Sequence, residues 1–155
     1  VTTHTAATTA LLDQLDAATS DARRLWATHI VQRLDDPSPV PPNAPGIRRV
    51  HAAFLAAVGG LVTGTTRRCQ HVDLSAPRPY SWMAWHPRVV HCARPECAVV
   101  LGVDDDLNGT PEDHTCDGCR RYAPSTVTVV TYTSGVFLIG AGLCRRCRTA
   151  PGAAR

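Results

Sequence analysis

Seven cysteines and one histidine fall into four close pairs, and that spacing constrains the chain more than any other feature. The pairs are Cys69-Gln70-His71, Cys92-Ala93-Arg94-Pro95-Glu96-Cys97, Cys116-Asp117-Gly118-Cys119 and Cys144-Arg145-Arg146-Cys147. Two ligands on one tight turn can both reach a metal at a Zn–S distance of about 2.3 Å. Eight ligands in four pairs therefore predict two tetrahedral zinc sites. When two remote pairs close on one ion, the binding free energy becomes folding free energy, which a small core otherwise lacks.

Sequential pairing is favoured: Cys69, His71, Cys92 and Cys97 at one site, and Cys116, Cys119, Cys144 and Cys147 at the other. A cross-brace (first pair with third, second with fourth) and a nested arrangement joining Cys92/Cys97 to Cys116/Cys119 stay open. At the first site His91 or His86 could replace His71. His4, His29, His51 and His114 read as ordinary helix or surface residues.

Other cysteine chemistry fits less well. An odd number of cysteines leaves one thiol over in a pure disulfide framework. Residues 1–10 are rich in Thr and Ala and lack a basic stretch followed by an apolar run, so they do not read as a secretory signal. The expectation is a reducing, cytoplasmic setting, where close Cys pairs more often bind metal. The arginines of Cys144-Arg145-Arg146-Cys147 would lower a thiol pKa and suit a redox pair, but redox pairs usually come singly. The four-cysteine set could also hold an iron–sulfur cluster.

Between the third and fourth pairs lies the clearest hairpin in the sequence. Residues 126–132 are β-branched and aromatic, Thr133-Ser134-Gly135 is a turn, and residues 136–139 return. A Cys-x-x-Cys knuckle, a β-hairpin and a second knuckle, over residues 115–148, resemble the zinc-ribbon superfamily. The resemblance implies a structural ion held by Cys116, Cys119, Cys144 and Cys147, with Gly118 and Gly142 relaxing the backbone beside the knuckles. It implies no single function, because ribbons occur in transcription factors, polymerase subunits, ribosomal proteins and enzyme appendages. The general impression is of small zinc-binding proteins from GC-rich bacteria, actinobacteria among them, and from their phages and mobile elements. All 16 Lys-or-Arg positions being Arg agrees with that.

The first half reads differently. Leu11, Leu12, Leu15, Ala18, Ala22, Leu25, Trp26, Ile30 and Leu34 recur at helical spacing and predict a helix over 9–34, capped by Thr8 or Thr9 and stopped by Asp35-Asp36-Pro37. Five prolines in residues 35–46 make a stiff linker. A second helix is expected over 47–62, with Ile47, Val50, Phe54, Leu55, Val58, Leu61 and Val62 on its apolar face. Gly59-Gly60 weakens it and Gly64 ends it. The two helices are expected to pack as an antiparallel hairpin.

The fold class is therefore α+β. The expected organisation is a loose 1–8, a helical hairpin over 9–64, a first zinc module over 66–101, an acidic loop over 102–114, a second zinc module over 115–149 and a tail over 150–155. Short strands are expected at 80–85, 88–91 and 98–101. Trp82 and Trp85 read either as a core over a knuckle or as a stacking platform for bases. Asp104-Asp105-Asp106 reads as a solvated loop.

Function is less constrained. The formal charge of +3 loses seven for the thiolates and regains four from two divalent ions, leaving no net basicity. A nucleic-acid reading must rest on where the arginines sit. Arg67, Arg68, Arg120, Arg121, Arg145, Arg146 and Arg148 all lie beside ligand cysteines. They could form one basic face for DNA or RNA, or could offset thiolate charge. No phosphate loop, nucleophile elbow, metalloprotease helix or deaminase His-x-Glu is present. The leading expectation is a non-enzymatic zinc protein associated with nucleic acid, DNA-binding or regulatory in transcription. Its helical hairpin would form a homodimer or dock a partner. The alternative is a protein–protein adaptor that docks through Trp26 and Phe54. No apolar run is long enough to span a bilayer.

Overall fold

In the computed structural model, residues 6–30, 40–103, 114–124 and 126–149 are described. Helix α1 (Ala6–Leu25) runs into a π-helical turn (Trp26–Ile30), and α2 covers Pro45–Thr63. Then come β1 (Arg67–Arg68), β2 (Tyr80–Met83), β3 (Val89–Cys92), α3 (Pro95–Leu101), β4 (Val127–Ser134), β5 (Phe137–Cys144) and α4 (Arg145–Arg148). The expected ends at 31–34, most of the proline linker and the acidic stretch 104–113 lie outside the described residues.

All five strands join one sheet in the order β1-β3-β2-β5-β4. β2 and β3 form one antiparallel hairpin and β4 and β5 another. The hairpins meet where β2 runs parallel to β5, with Tyr80 opposite Phe137 and Met83 opposite Gly140. β5 is buried at every residue, whereas β4, at the sheet edge, is mostly half-buried. A two-residue turn opening on Gly135, at φ 55°, joins them; the right-handed twist of the strands favours such a turn, and it calls for a residue that tolerates positive φ.

The core forms where α2 lies on this sheet. Ile47, Val50, Phe54, Ala57 and Leu61 are buried, at the i, i+3, i+4 spacing of one helix face. Phe54 sits edge-on to Phe137 and Trp82, with ring centroids 4.9 and 5.7 Å apart. Trp82, Ile139 and Leu143 are almost wholly enclosed. Gly64 ends the helix in the left-handed conformation at φ 75°, as its position suggested.

Several expectations need correction. The two helices do not pack along each other as a hairpin: α1 meets β5 and its own π-helical turn, and α2 meets α4 and the sheet. The apolar face of α2 found a larger apolar partner in the sheet than α1 could offer. Leu55 and Val62, expected inward, are exposed, and Ala57 takes an inward place. Residues 98–101 are helical rather than extended. Pro95 opens α3, Glu96 is in its first turn, and Gly102 closes it at φ 65°, so these end signals outweigh the strand preference of Val99 and Val100. Trp82 and Trp85 belong to the interior and offer no platform for bases.

Candidate metal centres

Each set of four ligands is built the same way. The first two come from a turn before a hairpin. The third is the last residue of the hairpin's second strand, Cys92 or Cys144. The fourth, Cys97 or Cys147, lies in the short helix that follows. In both, the backbone N–H of the strand cysteine donates to the first sulfur: Cys92 to Cys69 Sγ and Cys144 to Cys116 Sγ, each 3.3 Å. An N–H donor stabilises a thiolate more than a thiol. The chain therefore carries one turn–hairpin–helix unit twice. In the sequence this shows only as a strand ending on a cysteine, with another cysteine three or five residues on.

The ligand atoms of Cys69, His71, Cys92 and Cys97 all lie within 4.8 Å of one another, and so do those of Cys116, Cys119, Cys144 and Cys147. The grouping is sequential. Within the first set, His71 Nδ1 is 3.2 Å from Cys97 Sγ and 3.8 Å from Cys92 Sγ, and the Cys92 and Cys97 sulfurs are 3.4 Å apart. Cys119 and Cys144 sulfurs are 3.9 Å apart. A tetrahedral ion with Zn–S of about 2.3 Å and Zn–N of about 2.0 Å places its ligands about 3.5–3.8 Å apart. The donor sets thus fit a metal ion of this size. His91 turns elsewhere: it is buried, with Nδ1 2.8 Å from the Cys92 carbonyl oxygen.

The thiols also need a cation electrically. Burial raises the pKa of Cys69, but N–H donors from Cys92 and His71 outweigh it and the net shift is downward. Cys97 is pushed up to about 12, first by its hydrogen bond to Cys92 and then by burial. In the second set Cys119 is lowered, because the Arg121 N–H and neighbouring thiols overcome burial. Cys116 and Cys147 are raised, chiefly by burial. In each set one thiol is shifted towards the thiolate and at least one other away from it, as crowded like charges must be. A divalent ion at the centre lets all of them ionise together.

The second centre is fastened to α2. Arg49 donates to the Gly118 carbonyl at 2.8 Å. Asp117, its side chain almost fully enclosed, accepts the Gly142 N–H at 2.7 Å and meets Arg120 at 3.4 Å. Gly118 and Gly142 thus both serve the knuckle, Gly118 through close packing and Gly142 through the hydrogen bonds of its N–H and C=O with Asp117.

The two centres stand at opposite ends of the sheet. Cys92 and Phe137 are both in register with Tyr80, and Cys144 lies seven residues further along β5, a distance of about 23 Å at 3.3 Å per residue. The seven arginines therefore do not merge into one face. Arg67 and Arg68 lie on β1, beyond β3, and donate to the carbonyls of Leu101 and Val72. Arg120, Arg121, Arg145, Arg146 and Arg148 surround the second centre, each within two residues of a ligand there. Arg49, which the sequence did not single out, joins them from α2 because α2 docks on this knuckle.

Comparison with family models, curated proteins and solved structures found no match. The functional reading therefore rests on the chemistry of the two centres and their surroundings. Among the described residues no helix is long and apolar enough to cross a membrane.

Proposed function

We propose that this chain is a non-enzymatic protein held together by two structural zinc ions, and that it binds nucleic acid through arginines around the second ion. Zinc is the metal this reading assigns: a set of three cysteines with one histidine and a set of four cysteines, each closed by protein ligands alone, match structural zinc and leave no open position for chemistry. The observation that carries the binding role is the gathering of six arginines from three chain segments at one end of the molecule. In α2's first turn, the knuckle and α4 the single acidic residue described is Asp117, already engaged by Gly142 and Arg120. Arg49, Arg120, Arg121, Arg145 and Arg146 are exposed and Arg148 is half-buried. A site of four thiolates and one dication takes back two charges, so the described residues of this end stay cationic while the whole chain is nearly neutral.

Fluorescence anisotropy with labelled DNA and RNA oligonucleotides across a salt series tests this reading. About five phosphate contacts give a slope near −4.5 in log K against log salt, or about a 500-fold loss between 50 and 200 mM. An R145A/R146A double variant is expected to reduce that slope by about two. Absence of binding to any oligonucleotide at about 50 mM salt sinks the proposal.

A second reading, an adaptor, is favoured by Leu11, Leu12 and Leu15, which leave an apolar strip of α1 exposed. The docking residues expected for it do not serve: Phe54 is in the core, and Trp26 is half-buried with its Nε1 donating to Thr131 Oγ1 at 3.0 Å.

A further inference from the structure

We infer that the nucleic acid bound at the second metal centre is single-stranded, with one unpaired base stacked on Tyr122; this rests on the binding role proposed above.

All eight aromatic residues among Phe, Trp and Tyr are described, and seven are buried or half-buried. Tyr122 alone is exposed, at 71%. It lies three residues after the ligand Cys119 and directly after Arg120 and Arg121, so the one exposed ring among these eight is in the cationic end rather than elsewhere on the surface. An exposed tyrosine gives up the burial that the other rings enjoy and leaves ring surface open to a planar partner.

The backbone that carries the ring is also held in place. Tyr122 forms a bridge with Thr115, flanked by the Cys116 N–H donating to Arg121 O at 3.0 Å and the Ala123 N–H donating to His114 O at 2.7 Å. The His114 ring stands perpendicular to it, centroids 5.8 Å apart. The peptide is thus fixed on both sides of Tyr122, while the ring projects. A rigid aromatic costs little entropy when a base settles on it.

Guanidinium groups beside an exposed ring match the composition of single-strand binders, in which cations track the phosphates and aromatics take the bases. Bases stacked within a duplex present their edges and not their faces, so a duplex can use the arginines but not Tyr122. Arg121 and Arg146 are the phosphate contacts that serve either form.

The test measures anisotropy of a labelled 12-nucleotide single strand, as DNA and as RNA, and of the matching DNA duplex. Wild type is compared with Y122A, Y122F and R146A, each checked for metal content. The expected result is a loss of about tenfold in single-strand affinity for Y122A. Y122F should stay within about twofold and duplex affinity should stay unchanged, because a stacked ring needs no hydroxyl. R146A should weaken single strand and duplex alike. If R146A weakens binding while Y122A does not, or if Y122A weakens the duplex equally, stacking is overturned and the phosphate-binding role stands. If wild type binds none of the three probes, both are overturned.

Discussion

Gly46 and Gly118 meet backbone to backbone. A Cβ on Gly118 would lie 2.8 Å from Gly46 Cα, and one on Gly46 would lie 2.7 Å from the Cys147 carbonyl oxygen and 2.8 Å from Cys147 Cβ. The first turn of α2 is thus seated on the second metal centre, and Arg49 clamps the same knuckle through the Gly118 carbonyl. Neither glycine has positive φ, so close approach and not backbone conformation is what each supplies.

Gly118→Ala and Gly46→Ala should therefore each lower stability by about 1–3 kcal/mol, the usual cost of overpacking. Gly59 gives the control. It lies in the same helix, and a Cβ there would meet nothing within 4 Å. Gly59→Ala should instead raise stability by up to about 1 kcal/mol through helix propensity. Thermal unfolding of the three metal-loaded variants is the measurement. Equal behaviour of Gly46→Ala and Gly59→Ala would remove the seating of α2 on the knuckle.

The two centres should load as separate sites, because no ligand is shared and about 23 Å of strand separates them. Elemental analysis is expected to give two zinc ions per wild-type chain, and one in each of Cys97→Ser and Cys119→Ser. A structural zinc contributes about 10–16 kcal/mol of apparent binding free energy, against about 5–15 kcal/mol for the whole stability of a typical domain. Each single loss should therefore unravel its own turn and hairpin junction. The β4–β5 amides should keep their hydrogen-exchange protection in Cys97→Ser and lose much of it in Cys119→Ser. A strong chelator should unfold wild type cooperatively. Loss of both ions from either variant would show that ligands are shared between centres.

Chelation by a close pair is a local matter, which is why the pairs could be read from spacing, whereas which pairs share an ion, and His71 rather than His91 or His86 in the first group, came only with the fold. Cys116 and Cys119 can reach one ion whatever the rest of the chain does. The β4–β5 hairpin was visible for the same reason, since its turn and β-branched residues are contiguous, although β5 runs on to Cys144 rather than ending at 139. What could not be read was non-local. Nothing in Tyr80–Met83 says that it will lie parallel to Phe137–Gly140, and that junction alone sets the two centres at opposite ends. The helices carried an apolar stripe each, and a stripe names no partner: that of α2 went to Trp82 and Phe137, while Leu11, Leu12 and Leu15 of α1 stayed exposed. In residues 98–101 the strand preference of Val99 and Val100 carries no weight, because both point to solvent here and pack against little. The nearness of Arg49 to Gly118 depends on the docking of α2, which no spacing announces.

Tyr132 offers a test of the interior on the other side of the sheet junction. It lies opposite Ile139 in the β4–β5 ladder, and its hydroxyl is buried with no hydrogen-bond partner among the described residues. Burial pushes its pKa up to about 12 from an ordinary 10.0. The folded state therefore holds this proton more tightly than the unfolded chain. The stability it contributes is fully present below pH 10 and is lost as pH rises from there towards 12. Tyr132→Phe removes a hydroxyl that was desolvated without compensation. It should leave stability at pH 7 unchanged or raise it by up to about 1 kcal/mol. It should also shrink the alkaline loss between pH 10 and 12 relative to wild type. Thermal unfolding of both proteins at pH 7, 10 and 11 checks the sign. A Phe variant that is clearly less stable at pH 7 would mean that the hydroxyl is satisfied in solution, and the steep alkaline limb would then need another cause.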